Sequence, residues 1–553
     1  MSGAPLLRAP PFPWADATVA LPQVSSVGMD GPLPVSRAQF ADLRAARVGG
    51  CFWAPPVVGD DPIAVVLRPG GAAEVAALLA YDEDGAALWL VPQSPAGWGH
   101  VLAGRNMQPD AVDPWSVLDR ARLLVAHGDD EWIALARIAG VAVQVLSPGR
   151  FGAPGDSADA LDARAALALA QAHYRDPFGG GATGLAETID LLATWRAALD
   201  GNRQIAVASG MAWWKKAEIR RFLWHPARRL RFARTPARAL ALAERAGGAV
   251  AIWPSRVSPG LIAQARQQGV PLVRVEDGFV RSVGLGVDLV PPSSVVVDAL
   301  GIHFDPAGPS DLEAVLANAA FSPRLLARAR ALRETIVAAG ISKYAADTQA
   351  PVPPRAEPGR RLVLVPGQVE DDMSVRAGGH GLASNLELVR RARLAEPDAE
   401  IWFRPHPDVD AGHRKGAVPN AQLLAHADLV VRGGGMAPLL DAVDAVHVLT
   451  SLAGFEALLR GREVVCHGTP FYAGWGLTRD LAPVPDRRGR ALSLDALVAG
   501  VLILYPRYLD PVTGLPCPPE VLVGRMAGAR ATNRLRWIAP LRRIQGRLMA
   551  ALR

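Results

Sequence analysis

The sequence predicts an α/β protein with parallel sheets in two lobes, preceded by a degenerate α/β half-module. Three observations predict this. Short apolar runs of strand length alternate with Ala/Leu-rich stretches of helical period, which is the signature of βα units. A Pro-rich segment, APVPPRAEP at 350–358, separates two such series. A strand–helix–strand pattern early in the chain recurs near its end.

The elements follow in order. Residues 1–185 carry the apolar runs AVVL, LWLVP, LLVAH and VQVLS between helical stretches. Residues 204–355 open on IAVASG, pass through AVAIWPS and PLVRVEDG, and end in helices rich in Ala, Leu and Arg. After the Pro-rich hinge, residues 361–524 contain RLVLVPG, AEIWFRPHP, ADLVVRGGG, AVHVLTS and EVVCHG. In such sheets a ligand sits beyond the carboxyl ends of the strands, between the lobes. The run LVAGVLILY at 497–505 is too short to span a bilayer and reads as a buried helix. Residues 525–553 form a basic C-terminal tail whose charges are all Arg.

Composition excludes several classes. Half of the 553 residues are hydrophobic, so disorder is not expected. The three cysteines form no CxxC pair, which argues against a disulfide framework or a structural zinc site. The N-terminus lacks the basic start and unbroken apolar stretch of a signal peptide, and no window is long and apolar enough to span a membrane. A reducing, cytoplasmic setting is expected. The net charge of +6 is uneven: besides the tail, the stretch 215–238 is basic, with Glu218 its only acid. Such patches suit an anionic partner, or are a solvated face in an Arg-rich chain.

The repeat pairs LLVAHGDDEWIALARIAGVAVQVLS with AVHVLTSLAGFEALLRGREVVCHG. A helix, a Tyr-x-Asp-Pro step and a Gly turn follow in both places. Aligning Gly140 with Gly461 sets Leu135 opposite Glu456, and Asp129–Asp130 opposite Thr450–Ser451. The first copy thus keeps the scaffold and lacks the polar residues. It reads as the remnant of a nucleotide-binding lobe without catalytic function.

Five motifs stand at strand ends in the intact part. In TSLAGFEALLRG at 450–461, Thr450 or Ser451 can cap a helix whose free N–H groups hold a phosphate, and Glu456 can accept from ribose hydroxyls. In RPHPD at 404–408, a His held extended by the following Pro can donate to a leaving phosphate. QVEDDMS at 368–374 places three acids in a row, one of which can attack an anomeric carbon. VEDGFVR at 275–281 sets acids beside Arg281, which can fork a sugar carboxylate or form a structural ion pair. RGGGM at 432–436 can bring backbone close to a phosphate or simply turn the chain. Each has an ordinary reading alone, as a capped helix or a solvated loop. Their order along the chain, each after an apolar strand, is the stronger signal.

These residues, together with VRVEDGFVRSVGLGVDLVPPSSVVVDALGIHFD at 273–305, SKY at 342–344, GTPFYAGWGLTRD and YPRYLDPVTG, resemble the bacterial capsule polysaccharide β-Kdo transferases over about 204–525. Kdo is 3-deoxy-D-manno-oct-2-ulosonic acid. The resemblance implies a GT-B-like fold of two Rossmann-like lobes and retaining transfer from CMP-β-Kdo through a covalent adduct. The acceptor it implies is a Kdo-bearing, phosphatidylglycerol-type lipid at the inner face of the inner membrane, for capsule assembly and export. By similarity Asp372 is the nucleophile, His406 contacts the CMP phosphate, and Ser451 and Glu456 belong to the CMP-binding turn and helix. Asp277 and Arg281 match a segment where donor or acceptor is held, and Asp277 is grouped with the catalytic residues. Glu276, Arg404, Thr450 and Gln368 complete the expected substrate-binding set. No cofactor, no metal and no nucleic acid is implied.

Members of the family often carry two complete modules, giving two linkages in alternation. One complete module here implies one linkage, with a second Kdo transferase and the export machinery as further partners. An anionic membrane surface suits the basic tail. Two other readings stay open: a GT-B transferase using another nucleotide sugar such as a UDP-hexose, and a non-catalytic scaffold of capsule export.

Overall fold

In the computed structural model, the described residues are 5–15, 37–92, 99–281, 290–342, 351–412 and 414–528. Most of the basic tail, and part of the 273–305 and 342–344 motifs, lie outside them. The chain forms two compact units. The first gathers Met1–Arg203, Leu223–Arg229 and Val512–Pro516, and the second holds the rest.

The first unit is built on a parallel sheet of β1 (Ile63–Arg68), β2 (Leu88–Val91), β3 (Asn106–Pro109), β4 (Ala121–Ala126) and β5 (Ala142–Val145), in the order β3-β2-β1-β4-β5. Its apolar residues pack on Trp115, Trp132 and Trp195. The helix Trp132–Ala139 stops at Gly140, whose φ of 84° needs no Cβ to be accommodated. The unit runs past the expected boundary at 185. The helix Leu185–Asn202 belongs to it, because Trp195 is fully buried there and the Arg196 guanidinium meets Asp113 at 2.6 Å.

The second unit opens with β6 (Ile205–Ser209), β7 (Arg231–Ala233), β8 (Ala249–Ile252) and β9 (Leu272–Asp277), paired in parallel in the order β9-β8-β6-β7. β10 (Ser294–Asp298) then pairs antiparallel with β9. The second lobe is a wholly parallel sheet of β11 (Leu362–Pro366), β12 (Glu400–Arg404), β13 (Leu429–Val430), β14 (Ala445–Val448), β15 (Glu463–Cys466) and β16 (Arg479–Asp480), in the order β13-β12-β11-β14-β15-β16. The five leading strands repeat the order of the first unit's sheet. The central strands of this lobe are buried throughout, so they read as unbroken apolar runs.

Two features go beyond the expected pair of lobes. The first lobe's sheet is mixed, and residues 493–528 do not stay with the second lobe. β17 (Pro506–Leu509) pairs antiparallel with β10 in the first lobe's sheet. Tyr505 donates to Asp298 at 2.8 Å, and Glu520 forms a fork with Arg328 at 2.6 and 2.9 Å. That return gives the backbone groups on the open side of β10 their hydrogen-bond partners. The apolar run at 497–505 is indeed buried helix over most of its length, closing in a π-turn over Ala499–Leu504. The Pro-rich hinge is anchored to the second lobe: Arg355 donates to both carboxylate oxygens of Asp444, at 3.0 and 3.1 Å.

Candidate active site

The site is built from what the second lobe's strands present at their carboxyl ends. β11 runs out through Gly367 into Gln368 and the acidic turn. Asp372 is the N-cap of the helix Met373–Gly378, and its Oδ1 accepts from the Ser374 backbone N–H at 3.0 Å and from the Ser374 hydroxyl at 2.8 Å. The cap explains why an Asp followed two residues later by Ser starts a helix here. It also fixes the carboxylate, leaving Oδ2 as the oxygen without a hydrogen bond among the described residues. The Ser374 hydroxyl in turn lies 3.4 Å from that of Thr450. Gln368 clasps Thr450 twice, its amide donating to the Thr450 hydroxyl at 3.0 Å and its carbonyl accepting from the Thr450 N–H at 2.9 Å. Buried amides are stable only when both ends are satisfied, and here both are spent on one residue. Gln368 and Thr450 therefore act through the chain Gln368–Thr450–Ser374–Asp372.

β14 leads into the helix Leu452–Leu459, capped by Ser451, whose hydroxyl accepts from Ala453 N at 3.2 Å. Tyr472 braces this turn by donating to the Ser451 carbonyl at 2.5 Å. Gly454 makes room for it, since a Cβ there would stand 2.2 Å from the Tyr472 hydroxyl. Glu456 lies one turn inside, 8% exposed.

At the end of β12, Arg404 turns its guanidinium to the carbonyls of Gly433 and Gly434. Those two glycines have φ of 72° and 69°, a region other residues enter at a cost, so the glycine run serves to aim backbone at Arg404. His406 follows. Its Nδ1 accepts from Asp408 N at 3.1 Å, which assigns the proton of the neutral ring to Nε2.

The first lobe's wall is formed at the end of β9. Asp277 is held between two cations: Lys215 Nζ donates to Oδ1 and Arg281 Nε to Oδ2, each at 2.9 Å. Lys215 sits 3.5 Å from the centre of the Trp253 ring, and burial pushes its pKa below that of an ordinary lysine despite the neighbouring Asp277. Glu276 accepts from Asp277 N at 3.2 Å. Arg281 is enclosed. It is 1% exposed, donates also to the Val290 carbonyl at 2.9 Å, and is absent from the cavity wall. A guanidinium so enclosed holds the Asp277 carboxylate in place. With both of its oxygens bonded to cations, the Asp277 carboxylate is anchored in this wall.

All the other expected residues line one cavity of about 830 Å³ between the lobes. That is the size of a cleft for a nucleotide-scale ligand. Sequence reasoning does not assign Ser374, Lys215, Phe279 or His303 to the site, and offers Phe471 only as an aromatic that could stack on a sugar or base or pack the lobe. Ser374 is legible in DMS only as a helix-start hydroxyl. Lys215 reads from the sequence as part of a basic stretch and of the WWKK run, and its approach to Asp277 is tertiary. Phe279, His303 and Phe471 form an aromatic side of the cavity, with Phe279 4.9 Å from His303 and 4.6 Å from Phe471 between ring centres. Among the described residues no group of three or more His, Cys, Asp or Glu is placed to hold a metal ion.

The corresponding turn of the first unit is differently filled. After β4, Asp130 accepts from Trp132 N at 2.9 Å and pairs with Arg68 at 2.6 Å, and Arg68 lies 4.4 Å from the centre of the Trp132 ring. Leu135, opposite Glu456 in the alignment, is core. An internal carboxylate occupies the helix start where an anion would otherwise be held.

Acids on both walls, with a strand-end imidazole and a helix N-terminus on one, define a GT-B-like α/β protein with its site between two lobes. Residues 248–508 match the family described as capsule polysaccharide biosynthesis protein. The chain is 34% identical to the solved β-Kdo 2,4 transferase of Thermosulfurimonas dismutans KpsC, with a TM-score of 0.51, over 59% of this chain and 98% of that one. It is 40% identical to the capsule polysaccharide modification protein LipA of Neisseria meningitidis, over 63% of this chain and 49% of the relative. It is 46% identical to the lipopolysaccharide-processing protein LpsZ of Rhizobium meliloti, over 44% and 56%. The chain belongs to the capsule polysaccharide biosynthesis family that includes the β-Kdo transferases. It spans about half the length of the curated relatives it matches.

Proposed function

We propose that the chain is a retaining β-Kdo transferase, which moves Kdo from CMP-β-Kdo onto a Kdo-bearing, phosphatidylglycerol-based lipid linker for capsule assembly and export. The observation that carries this is the Asp372 carboxylate, tied by one oxygen to Ser374, in the same cavity as the Ser451 turn and His406. Asp372 Oδ2 attacks C2 of Kdo, and the C2–O bond to CMP breaks with its electron pair leaving on the phosphate. The Nε2–H of His406 and the N–H groups of the Ser451 turn stabilise that phosphate. An acceptor hydroxyl then attacks C2 from the face opposite Asp372, the C2–O bond to Asp372 breaks with its electron pair returning to the carboxylate, and the hydroxyl proton passes to water, so two inversions give retention. Glu456 takes the ribose hydroxyls. Asp277, Glu276 and the aromatic side hold the sugars.

The first unit is read as a degenerate, non-catalytic copy of the second lobe. The shared strand order and the Arg68–Asp130 pair support this. The protein works in the cytoplasm on the inner face of the inner membrane, and a separate transferase supplies any second linkage. Among the described residues no helix is long and apolar enough to cross a membrane.

Incubation with CMP-Kdo and no acceptor, followed by intact-mass analysis, tests the reading. A gain of one Kdo residue that Asp372→Asn abolishes is expected. A wild-type protein that turns over donor and acceptor with no adduct on peptide mapping overturns the double displacement. Stabilisation by UDP and not by CMP overturns the donor.

A further inference from the structure

The carboxyl edge of the first lobe's sheet carries the cleft at one end and a cationic, aromatic rim at the other. β9 ends at Asp277 and β8 is followed by Ser255, both on the cavity wall. The next strand across, β6, runs into the turn Trp213–Lys215, and the edge strand β7 runs into Arg234. Trp213 is 64% exposed, an unusual setting for the largest apolar side chain. Two residues on, Lys215 bonds to Asp277, so the turn that displays the indole is continuous with the cleft wall. Beside it, Lys216 and Arg220 lie 5.5 and 5.1 Å from the centre of the Phe232 ring. Arg220, Arg231 and Arg234 are exposed and form no ion pair with a carboxylate among the described residues.

We infer that this rim docks on the headgroup layer of a bilayer containing anionic phospholipid and delivers a membrane-held acceptor to the cleft mouth. An indole at this level prefers the boundary between headgroups and acyl chains. Arginines without carboxylate partners are drawn to the negative surface potential, which acts over about 10 Å at 0.1 M salt. Arginine on an edge strand also deters strand pairing, but that role gives no reason for an exposed tryptophan next to it. The choice of a bilayer rests on the glycolipid-acceptor reading above.

Co-sedimentation of the full chain with vesicles, in the absence of donor, tests the inference. Binding is expected to phosphatidylcholine vesicles containing phosphatidylglycerol and not to phosphatidylcholine alone. Replacing Arg220, Arg231 and Arg234 together by Glu should weaken it about tenfold or more, and Trp213→Ala should cause a smaller loss. Both variants should keep the thermal shift with CMP and transfer to a water-soluble acceptor, since none of these residues lines the cleft. Wild-type binding by the triple variant overturns the inference, as does equal binding to neutral vesicles or tighter binding of single-stranded nucleic acid through the same residues. Loss of CMP-Kdo transfer with vesicle binding intact counts against the transferase reading alone.

Discussion

At the scale of single residues, the cleft depends on groups that hold its carboxylates in place. Ser374 donates to Asp372 and thereby decides which oxygen is left for chemistry. A hydrogen bond to a charged group contributes about 1.5–3 kcal/mol, so Ser374→Ala should lower kcat by roughly tenfold to a hundredfold. Steady-state kinetics should show KM for the donor little changed, because the phosphate contacts remain. If KM rises instead with kcat intact, Ser374 serves binding. Lys215 is the other case. Lys215→Met removes one of the two cations on Asp277 and should cost about 3 kcal/mol, the low end for a buried pair, because Arg281 stays. Urea denaturation of Lys215→Met measures this directly.

At the scale of elements, the nucleotide-side turn is a composite of β14, the helix Leu452–Leu459 and Tyr472 from the segment after β15. Gly454→Ala would push the Tyr472 hydroxyl aside by overlap at 2.2 Å. The Ser451 turn then loses its brace, and a loss of about 1–3 kcal/mol is expected from overpacking. Calorimetry should show the lowered Tm, and titration with CMP should show weakened binding. In the otherwise unchanged chain, Tyr472→Phe, which keeps the ring and drops the bond to Ser451, should keep most of the stability and weaken CMP binding. The glycine loop after β13 behaves likewise: Gly434→Ala meets a φ of 69° and should cost about 1–2 kcal/mol. The strands and helices of this lobe were legible because apolar runs, caps and glycine stops all agree locally. The return of β17 to the first lobe was not, because a partner strand some 200 residues away leaves no local trace.

At the scale of the whole molecule, the second lobe buries two histidines in mutual contact. His447 Nδ1 and His467 Nε2 are 3.1 Å apart, and burial lowers each pKa from 6.5 to about 4. Their charged forms are disfavoured in the fold, so the unfolded chain binds protons first as the pH falls. Stability is therefore full above pH 6.5 and declines as the pH drops toward 4. The decline amounts to a few kcal/mol, since each tenfold difference in proton affinity between the folded and unfolded chain is worth about 1.4 kcal/mol. Thermal melts across this range should show the decline, and His447→Asn should flatten it. A profile unchanged by that substitution would assign the acid sensitivity to other groups.

The sequence by itself determined the fold class, the positions of nearly all cleft strands, and the motifs that end them. Each of these is a local agreement of hydrophobic period, capping residue and turn chemistry, and local rules are written in consecutive residues. Only the tertiary structure decided which charged groups are spent on one another. It enclosed Arg281 against Asp277, brought Lys215 to the same carboxylate, and linked Gln368 to Asp372 through two hydroxyls. Those outcomes follow from burial and from distances between segments far apart in the chain, and electrostatic roles change with both.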